Sequence, residues 1–355
     1  MDDSESQKLA AALTGGEKCN DQAIKALRES FLEMNELFQA ALKVNWTGLA
    51  EQEYFGRPER LMNYTNLVED NIRRAAQYAN LKGNPQRMPD IHIRCDDPYD
   101  VCDDGNKRDG NHLAYNIGNE PHINFCDRFF KLDPLAKAVG EASSNQTTMM
   151  DLMAYYNRAT AWARQVMHIA PVGKAVVEKI DLAAGYNGSW TTVKTESSMN
   201  TSFLAGVSND HPITFGPNNI QALKYGYGAT RAKLIAGLST QEPYDAVNNA
   251  ESYSLYAQAK YVMEKRGYYP SIPTIPFANE MAILANEELQ KGEKKRYACF
   301  DMPDVVPASP KTNMIGTPIS SSASSIVKLR SALLEGHSGL LCLALSFSIT
   351  LLASY

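Results

Sequence analysis

The sequence carries no G-x-S-x-G elbow, no P-loop and no dinucleotide fingerprint. Serine-hydrolase, P-loop nucleotide and Rossmann chemistries therefore have no motif to rest on. It also lacks an excess of either charge. Its 35 Lys and Arg against 40 Asp and Glu leave a formal net charge of -5, and nothing electrostatic points to nucleic acid as a partner. Cysteine is scarce, six in 355 residues, and no spacing matches a zinc ribbon or a thioredoxin-type C-x-x-C. The N-terminal stretch "MDDSESQKLAAALTGG" has no apolar run of the signal-peptide kind. What is present is ample core material: hydrophobic residues make up 44% of the chain, enough for one large domain or two small ones.

The far end of the chain is distinctive. Residues 339–355, "GLLCLALSFSITLLASY", form an uncharged apolar run at the short limit of a membrane span, with no charged segment after it. Upstream lie "SSSASS" (320–325) and a spacer holding Lys328, Arg330 and Glu335. Small residues, spacer and apolar tail form the pattern of a GPI-attachment signal. The expectation is attachment at Ser322, Ala323, Ser324 or Ser325 and loss of 326–355, with a single C-terminal span as the alternative. Such a signal requires the secretory pathway, and the absent leader agrees with that only if the chain begins downstream of a lost signal peptide. Five N-glycosylation sequons, at Asn45, Asn63, Asn145, Asn187 and Asn200, support secretion. With Cys342 in the tail, Cys19, Cys95, Cys102, Cys126 and Cys299 remain. In an oxidising compartment four of these pair and one is left over, the connectivity being open.

Apolar residues at helical spacing predict a helix over 20–43, a second from Pro58 to about Leu81, and a strong one from about Met149 to His168. Further helices are expected over 219–238 and 246–265. "DIHIRC" (90–95) and "HINFC" (122–126) alternate as short strands do. His92 and His122, on these strands, read as structural. The acidic loop between them, "CDDPYDVCDDG", lacks EF-hand ligand spacing and reads as solvated. Residues 183–218, rich in Gly, Asn, Ser and Thr, read as a long excursion, and the chain beyond about 290 as a linker. The fold class is α+β, mostly helical, with a small sheet.

The stretch "ARQVMHIAPVGK" (163–174) carries the chemical question. A zinc-protease helix reads H-E-x-x-H: the i,i+4 imidazoles share one ion and the glutamate acts as general base on the bound water. Here the corresponding positions are Arg164, Gln165 and His168. Guanidinium stays protonated and offers no lone pair, so Arg164 cannot be a ligand. Gln165 keeps the shape of glutamate but cannot take a proton. By itself, one histidine at a helix end reads as structural.

Three stretches in order resemble the fungal deuterolysin (aspzincin) metalloproteases and their relatives, the pH-regulated antigen or zincophore group that includes an Aspergillus major allergen. They are "CDDPYDVC" with "LAY" (113–115) and "INFCDRFF" (123–130); "RATAWARQVMHIAPVG" (158–173); and "YGYGATRA" (225–232) with "AVNNAESYSLYA" (246–257). The resemblance spans roughly 19–265 and implies a zincin-like fold. It aligns His168 with the second zinc histidine, Arg164 with the first, and Gln165 with the catalytic glutamate. An alternative register puts His168 on the first histidine, Ile169 on the glutamate and Val172 on the second histidine, and loses the match in the following Val-Gly. The third ligand, an aspartate three residues before the first Tyr-Gly, falls on Ala222, which cannot bind metal. Asp181 and Asp210, between the second and third stretches, are the aspartates that could take its place. Tyr225 and Tyr227 then read as core residues. The resemblance also implies disulfides Cys19–Cys95 and Cys102–Cys126, with Cys299 unassigned.

The expected organisation is an N-terminal segment 1–18, a deuterolysin-like domain 19–290, a linker 291–325 and an attachment signal 326–355. The expected function is that of a secreted pseudopeptidase on the cell surface, held to the membrane by its anchor and facing a protein or cell-wall ligand as binding protein, antigen or effector. No cofactor is expected, zinc being the ion a functional site would hold. The competing readings are an active metalloendopeptidase with a rearranged site and a zincophore-like zinc binder. A Ser-rich linker stands where the zincophores carry a His/Cys-rich tail, which weighs against the latter.

Overall fold

Asn20 accepts the amide of Ala23 on its Oδ1 at 2.8 Å and opens the longest helix among the described residues, α1 (Asp21–Ala41). Leu27, Phe31, Met34 and Phe38 follow at helical spacing and are fully buried. The computed structural model describes residues 13–61, 64–78, 90–102, 112–118, 120–175, 177–184, 190–198, 228–237, 246–275 and 305–306. All fall in one compact unit, Met1–Arg296 with Asp301–Ala308; the second unit, Tyr297–Phe300 with Ser309–Tyr355, lies outside them. The attachment signal, Ser322 to Ser325, Cys299, Asn63, Asn187, Asn200, Ala222, Tyr225, Tyr227 and Asp210 are therefore outside the described residues. Among those described, no helix is long and apolar enough to cross a membrane.

The helix expected from Pro58 to Leu81 is two helices, and another precedes it. α2 (Leu49–Phe55) ends at Gly56, whose φ of 102° a side chain rarely allows; α3 (Pro58–Leu61) and α4 (Thr65–Tyr78) follow. α2 is too short and too acidic to show a helical period. It is nonetheless buried, because its carboxylates are paired. Glu51 accepts Tyr256 Oη and Lys260 Nζ, each at 2.8 Å, and Glu53 meets Lys233 Nζ at 2.5 Å.

The main sheet is mixed. β1 (Leu13–Glu17) and β2 (Ile91–Arg94) pair in parallel, β4 (His122–Phe125) continues in parallel beyond β2, and β3 (Ala114–Ile117) runs antiparallel to β4. The glycines that let β1 bend hide its strand character in the sequence. Ile91, Ile93, Ile123 and Phe125 belong to the main core, while the side chains alternating with them, His92, Arg94, His122 and Asn124, lie on the opposite face. Disulfides join Cys19 to Cys95 and Cys102 to Cys126, the pairing the resemblance implies. They tie the entry of α1 to the end of β2, and the loop after β2 to the end of β4.

Two short helices follow β4, α5 (Asp127–Lys131) and α6 (Leu135–Ser144). The single helix expected from Met149 to His168 does not form. A 3-10 turn over Leu152–Tyr155 is followed by an extended Tyr156, and only then by α7 (Arg158–Met167). Two bonds explain the break. Leu152 N donates to Ile272 O at 2.9 Å and Ile272 N to Met150 O at 2.8 Å, which takes this backbone out of a helical ladder. Asn157 then caps α7, its buried Oδ1 accepting Ala159 N at 2.8 Å and Thr160 N at 3.3 Å. A hairpin, β5 (Val177–Ala184) and β6 (Trp190–Ser198), begins before the stretch read as an excursion and runs into it.

α8 (Gly228–Gly237) and α9 (Ala250–Arg266) complete the helical layer, and β7 (Val305–Val306) adds two residues in parallel to β3. α9 begins at Asn249, whose side chain accepts Glu251 N, and ends at Gly267 in the left-handed region. α1, α7 and α9 pack on one another, with Trp162 of α7 wholly buried between Phe31 and Phe125 at ring separations of 5.3 and 4.5 Å. The architecture is α+β and mostly helical. Asn157→Ala leaves buried amides without an acceptor and should lower unfolding stability by about 1–3 kcal/mol. Urea denaturation reads this, and an unchanged midpoint would show that the cap is dispensable.

Candidate functional site

α7 carries the positions at which a zinc helix would hold its ligands, and every one of them is buried. Arg164 is 7% exposed, Gln165 0% and His168 1%. His168 is the C-cap, its backbone N–H reaching Gln165 O and Val166 O.

Arg164 crosses to α9, where its Nη1 lies 3.4 Å from Glu251 Oε2. The other oxygen of Glu251 accepts the amide of Gly228, the first residue of α8, at 3.1 Å. That carboxylate therefore meets three helices: the cation on α7, the positive N-terminal end of α8, and its own first turn of α9. Gly228 reaches this position with φ +75°, in the region that favours glycine. Gln165 uses its amide as a structural donor, from Nε2 to Ala114 O on β3 at 3.2 Å, while Asn116 Nδ2 of the same strand donates to Gln165 O at 3.2 Å. A glutamate at 165 would turn a carboxylate towards that carbonyl. Glutamine suits this environment because it can donate.

Zinc does not fit these residues. The first ligand position holds a guanidinium already in contact with a carboxylate, and the general-base position holds an amide bound to a carbonyl. Among the described residues no group of three or more His, Cys, Asp or Glu is arranged to hold a metal ion. In place of an ion, Arg164 meets the carboxylate of Glu251. Sequence reasoning gave that residue no role, although it lies within the last of the resembling stretches. The available signal was an acidic residue in the first turn of a helix buried on all sides.

The acidic loop between β2 and β3 is held by its own neighbours. Asp97 Oδ1 accepts Val101 N at 2.9 Å and Tyr115 Oη at 2.8 Å, and its Oδ2 accepts Cys102 N at 2.9 Å. Asp96 is bound by Arg94, Nε to Oδ1 at 2.7 Å. Asn45 and Asn145 sit on exposed turns in matching geometry, each Oδ1 accepting the hydroxyl of the threonine two residues on, at 2.8 and 2.7 Å.

On the sheet, His92 bonds to Glu17, its Nε2 lying 2.8 and 2.9 Å from the two carboxylate oxygens. Its cross-strand neighbour His122 is 4% exposed, and neither of its ring nitrogens has a hydrogen-bond partner. Burial, with the nearby His92 and Arg94, pushes the His122 imidazole down to about 4, so it is neutral near pH 7.

No family model and no curated protein matches the chain.

Removing one member of the Arg164–Glu251 pair takes a buried partner of opposite charge from the other. Arg164→Met and Glu251→Leu should each cost about 3–5 kcal/mol, with much of that recovered in the double variant. A denaturation double-mutant cycle measures this. Additive losses would mean that the two side chains do not depend on each other.

Proposed function

We propose that the chain is a secreted, GPI-anchored surface protein on a deuterolysin-type zincin fold, in which a structural ion pair has replaced the catalytic metal. On this reading it works by presenting a surface to a protein or cell-wall ligand, and does not cleave peptide bonds. The observation that carries the reading is the buried contact of Arg164 with Glu251, at the position that the resemblance aligns with the first zinc ligand.

Further support comes from how the resembling stretches meet. Ala114 of the first, Gln165 and Arg164 of the second, and Gly228 and Glu251 of the third are joined by direct hydrogen bonds or ion pairing around α7. Segments that once built a single site would converge in this way. Secretion is favoured by two disulfides, which persist in oxidising compartments, and by the exposed sequons at Asn45 and Asn145. The anchor rests on the small-residue cluster and apolar tail at the end of the sequence.

The test pairs metal content of the folded, deglycosylated protein with a casein-cleavage assay. The expected result is no stoichiometric zinc at α7 and no chelator-sensitive cleavage. Stoichiometric zinc with cleavage would establish a rearranged metalloendopeptidase. Zinc that is lost on His168→Ala, without cleavage, would favour a zincophore-like role. Release from cells by phosphatidylinositol-specific phospholipase C checks the anchor.

A further inference from the structure

The parallel pairing of β2 with β4 sets His92 directly opposite His122, on the sheet face away from the main core. Buried polar atoms are nearly always hydrogen-bonded, so an imidazole 4% exposed with both nitrogens unpartnered calls for an explanation. His92 is prepared differently. Both oxygens of Glu17 lie against its Nε2, which holds the proton there and leaves Nδ1 as the lone-pair donor. This is the carboxylate–histidine arrangement that orients a metal-binding imidazole and raises its basicity. Space for it comes from Gly15, where a Cβ would lie 2.7 Å from His92 Nε2.

The ring separation suits a shared ion. A metal–nitrogen bond of about 2.0–2.1 Å plus about 1.1 Å to the ring centre sets each centre about 3.2 Å from the ion. Two such rings have centres about 4.5 Å apart for a right angle between the bonds, and about 5.2 Å for a tetrahedral one. The rings of His92 and His122 are 4.5 Å apart, inclined at 73°. The local charge is also suitable: Arg94 is outnumbered by Glu17 and by Asp96, to which it is bonded. With side-chain exposures of 36% for His92 and 40% for Glu17, the pair can be reached from solvent.

We propose that His92 and His122 together bind one late first-row divalent ion of the copper(II), nickel(II) or zinc(II) class, with Glu17 as the hydrogen-bonded support of His92. Water or an external donor completes the coordination, so the site needs no third protein ligand. It is separate from α7 and independent of whether a peptidase site ever operated there. Two neutral imidazoles with open positions favour copper(II) among these ions.

Copper(II) titration of the purified full chain, followed by electron paramagnetic resonance and metal mass spectrometry, tests this. The expected result is one ion per chain with the coupling pattern of two imidazole nitrogens. In His92→Gln the affinity should fall at least tenfold, and one nitrogen coupling should be lost. His122→Phe, checked for folding by circular dichroism, should abolish the signal. If that buried variant does not fold, the half-exposed His92 variant decides alone. No binding by the parent chain, or binding unchanged in His92→Gln, overturns the proposal.

Discussion

The carboxylate of Glu251 ties together the helices on which the rest of the molecule is arranged. One oxygen faces the guanidinium of Arg164 on α7 and the other takes the first amide of α8, while the residue itself sits in the first turn of α9. Each charge in a buried pair loses its hydration, and only the partner and neighbouring donors make up that loss. The geometry of the three helix ends is therefore coupled. A shift of α7 relative to α9 would weaken the attraction between two opposite charges in a low-dielectric interior.

That coupling gives the residues at 164 and 165 a structural role. Arginine at 164 and glutamine at 165 each serve a neighbour: one neutralises α9, the other donates to β3. An active zinc site requires the same positions to hold lone pairs and a proton acceptor. The two demands exclude each other at the same atoms. Buried carboxylates recur elsewhere as joints, with Glu51 holding Tyr256 and Lys260 and Glu53 holding Lys233. The core is apolar in bulk but positioned by a few ion pairs.

Much of the helical framework was legible in the sequence. α1 and α9 appear close to their expected spans because long apolar periodicity, Asn caps and a terminal Gly act locally. The strands at 91–94 and 122–125 were legible from alternation. What was not legible depended on distant partners. The run from Met149 to His168 keeps a helical period, yet Ile272 takes its backbone bonds and breaks it. α2 looks like a polar loop because the cations that neutralise it lie some 180 to 210 positions further on. β1 looks like a glycine turn, and the hairpin of β5 and β6 falls where composition suggested an excursion.

The sequence by itself determined the absence of a complete H-E-x-x-H motif, the helical periods and the chemical incapacity of Arg164 as a ligand, because these follow from residue identity and local spacing. Only the tertiary structure decided that Glu251 is the partner of Arg164, that Gln165 serves β3, and that His92 and His122 face one another across two strands. The reason is physical. Burial, and the pairing of charges and strands far apart in the chain, are properties of the folded packing, which no local window of sequence contains.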